Sequence, residues 1–89
     1  MTDLQTRIPV TVRYFAAAKA AAGRDAEVMT LAAGATVGDL VDALSARSAH
    51  LARVLVRCSY LSDAVAVRSL DTALLPGQTV DVLPPFAGG

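Results

Sequence analysis

Thr36-Val37-Gly38-Asp39-Leu40-Val41-Asp42-Ala43-Leu44 is the stretch on which the fold turns. A threonine with an acidic residue three positions on is the pattern of a helix N-cap with a capping box, here with Asp in place of the usual Glu or Gln. Behind it, Val37, Leu40, Val41 and Leu44 follow the i, i+3, i+4, i+7 spacing of one apolar helix face. Such a face needs an apolar surface to cover it, and the flanking segments supply a sheet. Upstream, Ile8, Val10, Val12 and Tyr14 alternate with Pro9, Thr11, Arg13 and Phe15, the period-two pattern of a strand with one buried face. Pro9 has no N–H to give a ladder, so it belongs at the strand start or where the missing donor costs nothing. Downstream, Val80 and Val82 face one way and Thr79, Asp81 and Leu83 the other, which makes a last strand. One helix face on one sheet is an α+β arrangement.

The segments between are weaker. Ala16 to Ala22, six alanines interrupted by Lys19, has helix propensity, and Gly23 is its natural terminator. Glu27, Met29 and Leu31 alternate with Val28 and Thr30 in a second strand that ends at the Gly34 turn. After Leu44, the residues Leu51, Val54, Leu55 and Cys58 continue a helical period, with Ser48 either capping a second helix or interrupting the first. Strand character returns over Ser59 to Leu61 and Val65 to Val67, joined by a Ser62-Asp63-Ala64 turn. Leu70 to Leu75 is expected to form a tight helical turn ahead of Pro76-Gly77. The polar residues 1–7 read as a flexible arm, 8–83 as one domain and 84–89 as an extended tail.

Composition agrees with a single small domain of 89 residues. The apolar fraction of 54% is inflated by 18 alanines; without them, about a third of the chain remains as larger apolar residues, an ordinary share for a compact domain. Eight basic and eight acidic residues give zero formal charge, so no field points to nucleic acid or an anionic membrane. No apolar run approaches the roughly 20 residues of a membrane span, and the first residues lack both the cationic start and the apolar run of a secretory signal. A single cysteine, Cys58, excludes an internal disulfide, and a cytoplasmic location is the expectation. One histidine and one cysteine cannot make a zinc site, and Asp39, Asp42 and Asp71 lack a metal-loop spacing, so no metal is expected. Cys58 reads as a packing residue, and His50, Arg53 and Arg57 as a solvated helical stripe rather than a phosphate site.

The chain ends Leu83-Pro84-Pro85-Phe86-Ala87-Gly88-Gly89. Two prolines hold the backbone near an extended polyproline conformation and cannot continue the ladder, and two glycines remove the last side chains. Six extended residues from Pro84 reach up to ~20 Å from the domain. Such a tail could thread a narrow channel in another protein and present its terminal carboxylate there, with glycine requiring clearance only for backbone.

Val12-Arg13-Tyr14-Phe15-Ala16, Gly34-Ala-Thr-Val-Gly-Asp-Leu40 and, above all, Leu83-Pro-Pro-Phe-Ala-Gly-Gly89 resemble MoaD, the small sulfur-carrier subunit of molybdopterin synthase. The resemblance runs from Ile8 onward and implies a ubiquitin-like β-grasp fold, with a mixed sheet packed against one main helix and the first and last strands adjacent and parallel. It also implies a mechanism. An ATP-dependent activating enzyme resembling MoeB, which holds the ATP and magnesium, adenylates the carboxylate of Gly89. A sulfurtransferase supplies sulfur to give a thiocarboxylate, and the large synthase subunit, resembling MoaE, receives the charged carrier and passes its sulfur to cyclic pyranopterin monophosphate. Gly89 is then the reacting residue, Gly88 gives clearance, and Pro84, Pro85, Phe86 and Ala87 direct the tail, while this chain binds no cofactor itself. Carriers for thiamine or cysteine biosynthesis and ubiquitin-like protein modifiers are the alternatives.

Partner contacts follow in the same frame. Phe15 and Leu83 lie on the outward faces of strands that would be neighbours, which makes a small exposed apolar patch at the tail's root. In the resemblance, aromatic residues stand at these positions, and Lys19 matches a basic position used toward the activating enzyme. The family commonly places Gly after Asp in the hairpin and Asp-Gly-Asp before the last strand, where this chain has Asp63-Ala64 and Pro76-Gly77-Gln78.

Overall fold

The alternation of Ile8, Val10, Val12 and Tyr14 becomes the central strand of the molecule. The computed structural model describes residues 7–85. In it β1 (Arg7–Tyr14), α1 (Ala16–Ala22), β2 (Ala26–Ala32), α2 (Val37–Ser45), α3 (Ala49–Leu55), β3 (Ser59–Ser62), β4 (Val65–Ala66) and β5 (Thr79–Leu83) follow in order. The strands form one sheet in the order β2-β1-β5-β3-β4. β1 and β5 run parallel at its centre, with Val12 opposite Val80 and Tyr14 opposite Val82. All other pairings are antiparallel. This mixed sheet with helices on one face is the α+β, β-grasp fold implied by the resemblance.

β1 begins at Arg7, which pairs with Ala32, one residue earlier than the arm boundary expected from polarity. Its central place makes Pro9 informative, because a proline between two partner strands would leave a gap in the ladder. The β1–β5 ladder begins only at Thr11, and the Pro9 carbonyl still accepts the Gly77 N–H at 2.8 Å. The missing donor therefore falls ahead of the ladder, where it costs nothing.

Both halves of the capping box form on α2. Thr36 Oγ1 accepts the Asp39 N–H at 3.1 Å and Asp39 Oδ2 accepts the Thr36 N–H at 2.9 Å. Two further N–H groups of the first turn, those of Val37 and Gly38, donate to the carbonyls of Thr72 and Leu70 at 2.9 and 2.8 Å, which settles the donors a helix start leaves unpaired. Gly38 permits this approach: a Cβ there would lie 3.2 Å from the Leu70 carbonyl oxygen. The segment from Leu70 to Leu75 is consequently not the helical turn its sequence predicted. After one turn closed by Thr72 N–H on Ser69 O, it runs extended and bridges Ala73 to Thr36. Its carbonyls serve α2 instead of a helix of their own.

Ser48 caps a separate helix, accepting the Leu51 N–H at 3.0 Å. α3 stops at Leu55, short of Cys58, whose half-buried thiol donates to the Val54 carbonyl at 3.3 Å. α1 ends at Gly23, in the left-handed conformation, with its N–H on the Lys19 carbonyl. The three helices close over one sheet face. Val10, Val12, Val80 and Val82, all with 0% exposure, meet Val37, Leu40 and Leu44 of α2, Leu51 and Leu55 of α3, Ala18 of α1 and Leu74. The β3–β4 hairpin turns through Asp63 and Ala64, at φ +47° and +69°, the two positive values of a tight hairpin turn. Ala64 adopts this conformation despite its Cβ.

Candidate functional site

β5 sets where the tail begins. Because β5 lies between β1 and β3, the chain leaves the sheet from its interior rather than from an edge. Pro84 and Pro85 follow Leu83 directly, the first half-buried and the second exposed. Phe86, Ala87, Gly88 and Gly89 lie outside the described residues.

At the same end of β1 and β5, the sheet face that carries no helix ends in two apolar residues. Phe15 and Leu83 each stand one residue beyond the Tyr14–Val82 pair, so the expected juxtaposition at one end of neighbouring strands holds in register. Phe15 is 39% exposed, and Leu83 is half-buried. Beside them lies a feature that sequence reasoning missed. Arg13 makes a bidentate ion pair with Asp81, Nε to Oδ1 at 2.6 Å and Nη2 to Oδ2 at 2.9 Å, and its guanidinium lies 5.7 Å from the centre of the Phe15 ring. Asp81 is the one buried charged residue among those described. A carboxylate can be buried on a strand face only if its charge is met, and the fork of Arg13 meets both oxygens. The signal was available in the alternation: Arg13 and Asp81 are both outward residues, on strands that the resemblance placed side by side.

Lys19 projects from α1 and pairs with Asp25 at 2.6 Å, both side chains exposed. It shares a cleft of about 390 Å³ with Arg13, Phe15 and Asp25, so the structure brings it to the same end of the sheet as Phe15. An exposed pair of this kind contributes roughly 0–1 kcal/mol to stability and leaves the ammonium accessible.

A second polar cluster anchors the opposite, helix-covered face. Glu27 of β2 accepts the Tyr14 hydroxyl at 2.5 Å and both terminal nitrogens of Arg47 at 2.7 and 2.8 Å. The Arg47 hydrogen bonds hold the Glu27 carboxyl below its usual range against the opposing effect of burial, with Tyr14 adding to them. Burial, and then the bond to Glu27, push the Tyr14 hydroxyl upward. Tyr60 donates to the Leu55 carbonyl at 2.9 Å and is pushed up to about 12, chiefly by burial; burial likewise raises the Cys58 thiol. These groups are held in their neutral or paired forms and brace the fold. Among the described residues no three His, Cys, Asp or Glu side chains converge as metal ligands, and no helix is long and apolar enough to cross a membrane. What the arrangement offers chemically is a platform that carries the backbone to Pro85, with Arg13, Phe15 and Lys19 at the same end of the sheet.

Comparison with solved structures places this platform among known ones. The Haloferax volcanii HVO 2177 protein, 28% identical, superposes with a TM-score of 0.83 over 94% of this chain and 89% of that one. A Pyrococcus furiosus protein provisionally described as molybdopterin converting factor subunit 1 is 29% identical, with a TM-score of 0.80 over 89% of this chain and 99% of its own. SAMP1 of Haloferax volcanii, 27% identical, gives 0.79 over 91% and 99%. No curated protein matches the sequence. The match to the ThiS family covers residues 12–89, from the middle of β1 through the tail. The chain therefore belongs to the ThiS family, whose β-grasp platform it shares with small sulfur carriers and ubiquitin-like modifiers.

Proposed function

We propose that this protein is the sulfur-carrying small subunit of a molybdopterin synthase. The observation that carries the reading is the Pro84-Pro85-Phe86-Ala87-Gly88-Gly89 ending on a strand that leaves the sheet from its interior. The Pyrococcus furiosus relative supports the molybdopterin branch of the family. In this reading a Gly89 carboxylate oxygen attacks the α-phosphate of ATP on an activating enzyme, releasing pyrophosphate. The terminal sulfur of a sulfurtransferase persulfide then displaces AMP to give an acyl disulfide. A thiol reductant cleaves its S–S bond to release the thiocarboxylate, whose sulfur is given up to cyclic pyranopterin monophosphate on the large subunit. Gly88 clears the channel, and Pro84, Pro85, Phe86 and Ala87 set the tail's direction. Phe15 and Leu83, with Arg13 fixed between Phe15 and Asp81, form the docking patch for the large subunit, while Lys19 faces the activating enzyme. Aromatic and arginine anchors of this kind concentrate binding energy at interfaces. The work is done in the cytoplasm, where those partners act.

The test is complementation in two strains, one lacking the small molybdopterin synthase subunit and one lacking the thiamine sulfur carrier. Restored molybdoenzyme activity in the first strain alone, lost on deletion of Gly88 and Gly89, is the expected result. Intact mass should then show one oxygen replaced by sulfur at the C-terminus. Rescue of the second strain alone would move the protein to the thiamine branch. Conjugates of a tagged chain on the lysines of other proteins, without either rescue, would make it a modifier.

A further inference from the structure

His50 and Arg53 of α3 and Arg57 of the turn after it are all exposed, at i, i+3 and i+7. From Ala43 to Ser62 the chain has no acidic residue, so α3 has no carboxylate of its own to pair with. Other elements supply none either: among the described residues the ion pairs engage Arg13, Lys19, Arg24 and Arg47, and neither Arg53 nor Arg57. These cations rim a cleft of about 250 Å³ whose remaining lining is apolar: Ala17 of α1, Val54 of α3, and Pro84 and Pro85 at the root of the tail.

We propose that this cleft docks an acidic segment of a partner protein, carboxylates on Arg53 and Arg57 and an apolar side chain against Val54, Ala17 and Pro84. Two guanidiniums that pair with no carboxylate among the described residues favour carboxylates, which they can bind in forked geometry. The apolar lining favours a peptide over a bare inorganic anion, which would leave it uncovered. A nucleic acid fits less well, since no Phe, Tyr or Trp among the described residues lines the cleft for a base to stack on and the formal net charge is zero. The position adds a constraint. Pro84 and Pro85 line the cleft, so a protein that takes in the chain beyond Pro85 would be brought next to it, whereas the Phe15–Leu83 patch lies on the sheet face opposite the helices. A partner could thus hold the root of the tail from both sides.

The proposal is independent of the sulfur chemistry and is tested on the full chain alone. An isotope-labelled sample is titrated at low ionic strength with a short synthetic peptide of glutamates flanking one leucine and followed by NMR. Parallel arms use inorganic phosphate and a short single-stranded oligonucleotide. Saturable shifts confined to Ala17 and the His50 to Arg57 stretch are expected, weakening as salt is added. In an Arg53→Ser/Arg57→Ser double variant, whose exposed positions leave the core untouched, affinity should fall about tenfold. Four results would overturn the proposal: shifts spread equally over Arg7, Arg24 and Arg68, unchanged affinity in the double variant, an equal response to phosphate at the same sites, or tighter binding of the oligonucleotide.

Discussion

The two faces of the sheet are built from the same strands and do opposite work. Toward the helices, Val10, Val12, Val80 and Val82 have no exposed surface. Toward the other side, their immediate neighbours Thr11, Arg13, Thr79 and Asp81 carry polar groups, with Phe15 and Leu83 at one end. Each face also holds one acidic exception to its rule. Glu27 turns inward among apolar residues and is met by Tyr14 and Arg47; Asp81 is buried on the open face and is met by Arg13. In the proposed function, the pleat separates stability from recognition by a single residue step. Substitutions on the covered face should therefore read out as folding, and those on the open face as binding.

The sharpest test of the covered face is Leu44→Ala. Leu44 has no exposed surface and sits in the cluster that joins α2 to the central strands. Truncation should cost about 2–5 kcal/mol, the range for a buried leucine that leaves a cavity, measured by urea unfolding. A cost below about 1 kcal/mol would mean that α2 is not the element sealing this face, and the division between faces would fail on its stronger side.

That division was legible where it is local. The alternation in β1 and the capping box of α2 both depend on residues within a few positions of one another, and both formed as read. The polar exceptions were not found in the same way. Arg13 and Asp81 are 68 positions apart, and their meeting depends on the parallel β1–β5 register, which no local pattern encodes. Glu27 was visible as an inward residue of β2, but its partners come from β1 and the end of α2. The Leu70 to Leu75 segment was misread for a related reason: its carbonyls are claimed by the N–H groups of Val37 and Gly38, a tertiary demand that overrides local propensity. The tail motif was plain in the sequence, while the cationic cleft beside its root required α1, α3 and β5 to be placed together.

Glu27 gives the intermediate effect and a pH signature. Its carboxyl titrates below the ordinary 4.5 in the folded protein, so the unfolded chain binds the proton more readily. The stabilisation is fully present above the ordinary value and is lost as pH falls through the folded value. Glu27→Gln keeps the shape but removes the charge that receives Arg47, at a cost of about 1–3 kcal/mol at neutral pH. Unfolding curves of the two proteins should converge as pH drops below 4.5. A gap that stays constant into acid would show that the glutamate matters for packing rather than for its charge.

The smallest effect is expected on the open face, where Phe15→Ser removes a ring that is already 39% exposed. Inside the domain the substitution removes the contact with the Arg13 guanidinium, worth roughly 0.5–1 kcal/mol at an exposed site, and the part of the ring's surface that the domain covers. Arg13 keeps both hydrogen bonds to Asp81, so the buried carboxylate stays paired. Unfolding free energy should therefore change by less than about 2 kcal/mol, while affinity for the proposed partner, a large synthase subunit, measured by calorimetry, should fall by tenfold or more if Phe15 is an interface anchor. A stability loss matching that of Leu44→Ala would place Phe15 in the core and remove the contrast between the faces. Unchanged affinity with unchanged stability would remove Phe15 from the proposed docking patch.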